Sequence, residues 1–126
     1  MRRAVETDQA PRPIGPYSQA IDTGNLVFCA GQIGLDPATG KLVEGGATAE
    51  AEQAIRNLTA VLAAVGLTLA DVVKTTLFLV DLKDGPELSA TYGAHFPQPY
   101  PARSTVQVAA LPAGARVEVE AIAVRR

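Results

Sequence analysis

Tyr100-Pro101-Ala102-Arg103-Ser104-Thr105-Val106-Gln107-Val108 is the stretch from which the rest of the chain can be read. Pro97, Pro99 and Pro101 fix φ and push the residues before them towards extended backbone. The chain therefore enters a strand with an arginine at its head. Along a strand, alternate side chains share a face, so Arg103, Thr105 and Gln107 lie together and Ser104, Val106 and Val108 lie opposite. An arginine inside such a strand is costly unless its charge is paired. It needs either a carboxylate from elsewhere in the chain, the ordinary structural ion pair, or a carboxylate brought by a ligand.

Outward from that strand, the chain alternates strands and helices. On the C-terminal side, Leu111-Pro112-Ala113-Gly114-Ala115 leads to a last strand, Arg116 to Val124. There Glu118 and Glu120 alternate with apolar residues and share one face. Arg103–Ala110 and Arg116–Val124 are expected as neighbours across that turn, with a register the sequence leaves open. On the N-terminal side, Glu87 to about Phe96 reads as a helix with Leu88, Tyr92 and Phe96 on one stripe, opened by Gly85-Pro86. Before it, Asp71 to Leu82 is dense in β-branched and apolar residues and reads as a strand at a sheet centre.

Ala47 to Val65 shows the clearest helical period, with Ala51, Ala54, Ile55, Leu58, Val61, Leu62 and Val65 in one stripe. Thr48 is placed to cap it, Gly66 to stop it, and Glu52 and Arg56 are spaced for an ion pair. Further back, Ser18–Asp22 and Leu26–Ala30 read as strands joined by Thr23-Gly24-Asn25, a turn that tolerates positive φ. Leu42-Val43 is expected as a short strand. Met1 to Pro16 reads as an irregular arm, because its prolines cannot join a ladder. The order gives an α+β fold: a mixed sheet with both helices packed on one face, in one domain over residues 1–126. The helix-free face is then expected to pack against another subunit.

Composition narrows the function classes. Eleven Lys and Arg against thirteen Asp and Glu leave a net charge of −2, which argues against a nucleic-acid partner. No apolar run is long enough to span a bilayer, and the polar N-terminus is not a secretory signal, so no membrane is implied. One cysteine, Cys29, allows no intrachain disulfide and fits a reducing, cytoplasmic compartment. In its apolar surroundings Cys29 reads as a small buried hydrophobe. His95 is the only histidine, which speaks against a His-rich metal site or a catalytic triad. Gly45-Gly46 lacks the spacing of a phosphate-binding loop. Asp81 and Asp84 read as turn or cap residues.

Several stretches, taken together and in order, resemble one family. They are Ile14-Gly15-Pro16-Tyr17-Ser18-Gln19-Ala20, Gly24-Asn25, Ala30-Gly31-Gln32-Ile33, Asp71-Val72-Val73-Lys74-Thr75-Thr76, Pro101-Ala102-Arg103-Ser104, and Leu111-Pro112 through Val117-Glu118-Val119-Glu120-Ala121-Ile122-Ala123. They are similar to the RidA/YjgF family over nearly the whole chain. The resemblance implies a chorismate-mutase-like fold and a homotrimer whose sheets form a central barrel, with sites between subunits. It implies hydrolysis of reactive 2-imino acids and their enamines, such as 2-aminoacrylate, to 2-keto acids and ammonia, with no metal or organic cofactor.

By the same resemblance, Arg103 binds the substrate carboxylate and Glu118 positions the attacking water. Tyr17 closes the pocket, while Gly31 and Thr105 contribute main-chain contacts. Ser89, at the pocket rim, stands where many relatives carry asparagine. Thr105 replaces a cysteine of some relatives, and Gly85 replaces a common phenylalanine. Two other readings stand beside the deaminase. One is an RNA-directed ribonuclease or translation inhibitor, a role described for relatives. The other is a trimer that binds keto acids without turnover.

Overall fold

Residues of period two build six strands of a single sheet, and two apolar stripes of helical period cover one of its faces. The computed structural model describes residues 1–126. The elements are β1 (Arg3–Val5), β2 (Ala20–Asp22), β3 (Leu26–Gln32), α1 (Ala47–Ala63), β4 (Val72–Leu79), α2 (Gly85–His95), β5 (Ala102–Gln107) and β6 (Val117–Val124). The strands lie in the order β1-β2-β3-β6-β4-β5. β4 and β5 are parallel; every other neighbouring pair is antiparallel. Since β6 runs against both β3 and β4, the strands β3, β4 and β5 share one direction. Parallel strands cannot be joined by a tight turn, and α1 and α2 supply the two crossovers. The expected mixed sheet with both helices on one face is the observed architecture.

The core lies between the sheet and the helices. From α1 come Ala54, Ile55, Leu58, Val61 and Leu62; facing them are Val27, Leu77, Leu79, Val117, Val119 and Ala121, all buried. Each fully buried Leu, Ile or Val contributes about 1.5–3 kcal/mol, so this stripe seats α1 far more firmly than intrinsic propensity. The helix stops where foreseen: Gly66 takes a φ of 76°, and the Leu67 N–H returns to the Leu62 carbonyl at 3.0 Å.

Several local expectations are corrected. The arm is not irregular throughout, because Arg3–Val5 pairs with β2 and only the proline-bearing part beyond it stays outside the sheet. The Leu42-Val43 strand is reduced to one bridge, Leu35 to Leu42. Thr48 does not cap α1. Gly46 takes that position without a side-chain bond, and the Thr48 hydroxyl donates to Glu87 instead. Glu52 does not pair with Arg56; its carboxylate meets His95 Nε2 at 2.7 Å, because α1 and α2 pack side by side. β4 stops at Leu79, and Asp81 accepts the Lys83 N–H in the turn that follows.

The largest correction concerns β5 and β6. They are not a hairpin pair, because β4 lies between them. The mixed character of the sheet also shows on its helix-free face. Phe28 and Val106 stand there 43% and 41% exposed, but β4 adds Lys74, Thr76 and Phe78 to it, and β6 adds Glu118 and Glu120. Only the Leu26–Ala30 part of β3 is apolar on both faces, so the helix-free face is not a continuous apolar surface.

A buried ion pair ties the sheet margin together. Asp22 is almost wholly buried and accepts the Gly24 N–H at 2.8 Å. Arg125 at the C-terminus and Arg3 on β1 also reach it. The Gly24 hydrogen bond, followed by Arg125 and Arg3, holds the Asp22 carboxyl below its ordinary value despite burial.

Candidate functional site

The structure sorts the foreseen residues into two separate groups. Arg103 and Ser89 form one. Arg103 projects from edge strand β5 on the helix-bearing side of the sheet, where its Nη2 donates to Ser89 Oγ at 3.0 Å. Its guanidinium lies over the Tyr92 ring, 4.9 Å from the centroid. With Gly93, Tyr100 and Pro101 these residues line a concavity of about 370 Å³. The chain's ion pairs do not include Arg103, so the structural carboxylate anticipated for it is not there. The predicted neighbour strand lies beyond β4, and Glu118 and Glu120 point to the opposite face. Thr105 shares Arg103's side of β5, two positions along, opposite Leu77.

Tyr17, Gly31 and Glu118 form the second group, around a smaller cavity of about 130 Å³ that also includes Gln32, Ile33 and Pro112. A bulge makes this group. β3 pairs Cys29 with Ala121 but Gln32 with Val119, so one extra residue is inserted around Ala30-Gly31. Bulges re-aim side chains and occur beside active sites. Here the bulge brings the Gly31 backbone onto Glu118: a Cβ on residue 31 would lie 2.7 Å from Glu118 Cδ.

Tyr17 reaches the cavity because the arm before it is clamped. Buried Gln19 accepts the Thr7 N–H through Oε1 and donates through Nε2 to the carbonyls of Thr7 and Pro11. Burial pushes the Glu118 carboxyl above its ordinary value, and the charge of Glu120 adds to the shift. Cys29, by contrast, is an inert core residue, its thiol pushed up to about 12 by burial.

One chain therefore presents an unpaired guanidinium on one side of the sheet and a carboxyl of raised pKa on the other. Comparison with known proteins gives these groups a context. The family model described as "Endoribonuclease L-PSP" matches residues 7–125. The 2-iminobutanoate/2-iminopropanoate deaminase of Mus musculus is 47% identical over 99% of this chain and 93% of its own length.

The chain belongs to the RidA/YjgF family.

Protein DfrA of Myxococcus xanthus is 53% identical, covering 98% of this chain and 95% of its own. The crystal structure of RidA from the Antarctic bacterium Psychrobacter superposes with a TM-score of 0.95 at 47% identity, covering 98% of this chain and all of that one. RidA-like folds thus extend over the whole sheet and both helices described above.

Four residues lining the Arg103 concavity were not singled out as site residues by sequence reasoning: Tyr92, Gly93, Tyr100 and Pro101. Tyr92 was assigned to the core stripe of α2. The available signal was its hydroxyl, since a buried tyrosine needs a hydrogen-bond partner and can serve as more than packing.

Proposed function

We propose that this protein is a 2-iminobutanoate/2-iminopropanoate deaminase. It hydrolyses reactive 2-imino acids and their enamines to 2-keto acids and ammonia, at sites formed where two copies of the chain meet in a homotrimer. The observation that carries this reading is the split site. Arg103 has no carboxylate in its own chain, Glu118 has no cation, and the sheet separates them. A second copy that lays its Glu118 face beside the Arg103 edge completes one pocket. Relatives bearing the deaminase name support the chemistry.

In that pocket Arg103 grips the substrate carboxylate through two parallel N–H donors. This fixes the imine carbon and leaves its nitrogen and one face to the second copy. Glu118 accepts a hydrogen bond from water and aims it at that carbon, which is already electrophilic. Addition forms a C–O bond and moves the C=N electron pair to nitrogen. Glu118 then relays one proton of the water to the nitrogen, giving the carbinolamine; its hydroxyl proton follows to the nitrogen as the C–N bond breaks, leaving the ketone and ammonia. A carboxyl of raised pKa exchanges protons nearer neutral pH than an ordinary glutamate. Tyr17 covers the opening, and main-chain groups at Gly31 and Thr105 hold the water and the nitrogen. Orientation and one water-directing acid are enough for so reactive a substrate.

The endoribonuclease description of the family model keeps an RNA reading in view. Against it, the net charge is −2, and Arg3, Arg12, Arg125 and Arg126 are each paired with an aspartate. RNA binding with a steep salt dependence would favour that reading instead.

The deciding experiment generates the imine in place with an amino-acid oxidase and lets semicarbazide compete for it. Wild-type protein should lower semicarbazone formation. Arg103→Ala should lose on the order of 10²-fold in kcat/KM, as expected for a charged bidentate contact. Semicarbazone yields equal to a blank across several side chains would remove the deaminase reading.

A further inference from the structure

Tyr92 holds three groups at once. Its ring is buried and stacks on Phe96 with centroids 4.1 Å apart. Its hydroxyl shares a 2.8 Å hydrogen bond with Thr75 Oγ1, which is completely buried on β4. The Arg103 guanidinium lies over the same ring. Thr75 is also the register partner of Arg103 across the β4–β5 pair, so the anchor of the ring and the root of the arginine stand on one rung of the sheet.

We propose that Tyr92, anchored by Thr75, is a positioning residue that holds the Arg103 guanidinium ready for a ligand carboxylate. The proposal rests on the deaminase reading of the Arg103 pocket and extends it to a residue of the pocket wall that acts through the arginine.

The physical case begins with the edge. β5 is exposed along its whole length, and an arginine there is long and rich in rotamers. Left free, it would have to be immobilised each time a ligand arrives, at a cost in affinity. Two contacts remove that freedom beforehand. Ser89 Oγ takes one N–H of Nη2, and the Tyr92 ring takes the planar face of the guanidinium by cation–π attraction. Both leave the remaining N–H donors at the guanidinium edge for a bidentate grip on a carboxylate. The ring in turn has no freedom: Phe96 fixes its plane and Thr75 fixes its tip. Burial raises the Tyr92 hydroxyl above its ordinary pKa, so it stays neutral and bonded to Thr75 at working pH.

The test measures binding of 2-oxobutanoate, the product-type keto acid, by calorimetry, alongside imine turnover. Tyr92→Phe keeps the ring and should bind within about threefold of wild type, while Tyr92→Leu should weaken Kd about tenfold, the scale of one lost cation–π contact and one freed side chain. In an Arg103→Gln background, which leaves no cation for the ring to hold, Tyr92→Leu should add less than about twofold, because its effect runs through the arginine. A merely structural tyrosine would lower the melting temperature and the binding stoichiometry and leave Kd unchanged.

Equal weakening by Tyr92→Leu in both backgrounds, or an unchanged Kd, would overturn the proposal while Arg103-dependent binding kept the deaminase reading alive. Absence of both turnover and keto-acid binding in the wild type would overturn both.

Discussion

Gly31 has no room for a methyl group, and what fills the space is Glu118, with Cδ at 2.7 Å and Cγ and Oε2 at 2.9 Å from a built Cβ. The obstacle is the end of a flexible side chain rather than backbone, so a substitution acts on the aim of the carboxyl more than on the fold. Gly31→Ala should melt close to wild type and lose about 10²-fold in kcat/KM, the usual consequence of misplacing a reacting group by about an ångström. Thermal melts and steady-state kinetics on one preparation check this; full activity would mean that the placement of Glu118 does not matter. Its neighbour supports a second prediction. Burial first, and the Glu120 charge second, raise the Glu118 pKa above 4.5. If ionised Glu118 directs the water, activity falls as pH drops through that raised value. Glu120→Gln removes the like charge, which makes ionisation easier, so the acid limb should move to lower pH while staying above 4.5 because burial remains. A limb that does not move in a kcat profile would assign the titration to another group.

Element by element, what was legible followed from period and punctuation. The stripe of α1, its stop at Gly66 and the apolar run of β4 are local properties and could be read directly. The pairing of β5 with β4 instead of β6 was not local. A short turn between two strands reads as a hairpin, but Leu111–Ala115 carries the chain across β4, and no residue in it announces that. The swapped helix partners have the same origin: Glu52 meets His95 only because two crossovers lay α1 and α2 together. A tertiary approach of this kind can be tested where α1 meets the end of β3. A Cβ on Gly34 would lie 2.7 Å from Glu50 Cα and 2.8 Å from its carbonyl oxygen. That obstacle is backbone and cannot swing away. Gly34→Ala should therefore destabilise by about 1–3 kcal/mol, as overpacking does, with an unchanged denaturant m-value, measured by urea unfolding. A neutral result would show that the helix slides to accommodate it.

On the scale of the whole molecule, the site is legible only in halves. The motifs singled out Arg103 and Glu118, and the spacing in the sequence invited an internal pair between them. The sheet forbids it, since one residue faces the helices from an edge strand and the other faces away across β4. Neither charge meets an opposite charge within the chain, and that mutual incompleteness is what points to a second copy. The consequence can be measured without any structure. Arg103→Ala and Glu118→Gln should each be nearly inactive alone. Unfolded together in equal amounts and refolded, they should regain activity, because some junctions then take the arginine from one variant and the glutamate from the other. In a closed cyclic assembly with random mixing, about a quarter of the junctions have both groups intact, so roughly a quarter of wild-type turnover should return. The same variants refolded separately and then mixed should stay inactive until subunits exchange. Activity that never returns, with light scattering showing mixed assemblies, would mean that both residues serve one chain's site or none. The shared pocket would then have to be abandoned, even though the fold and the family remain.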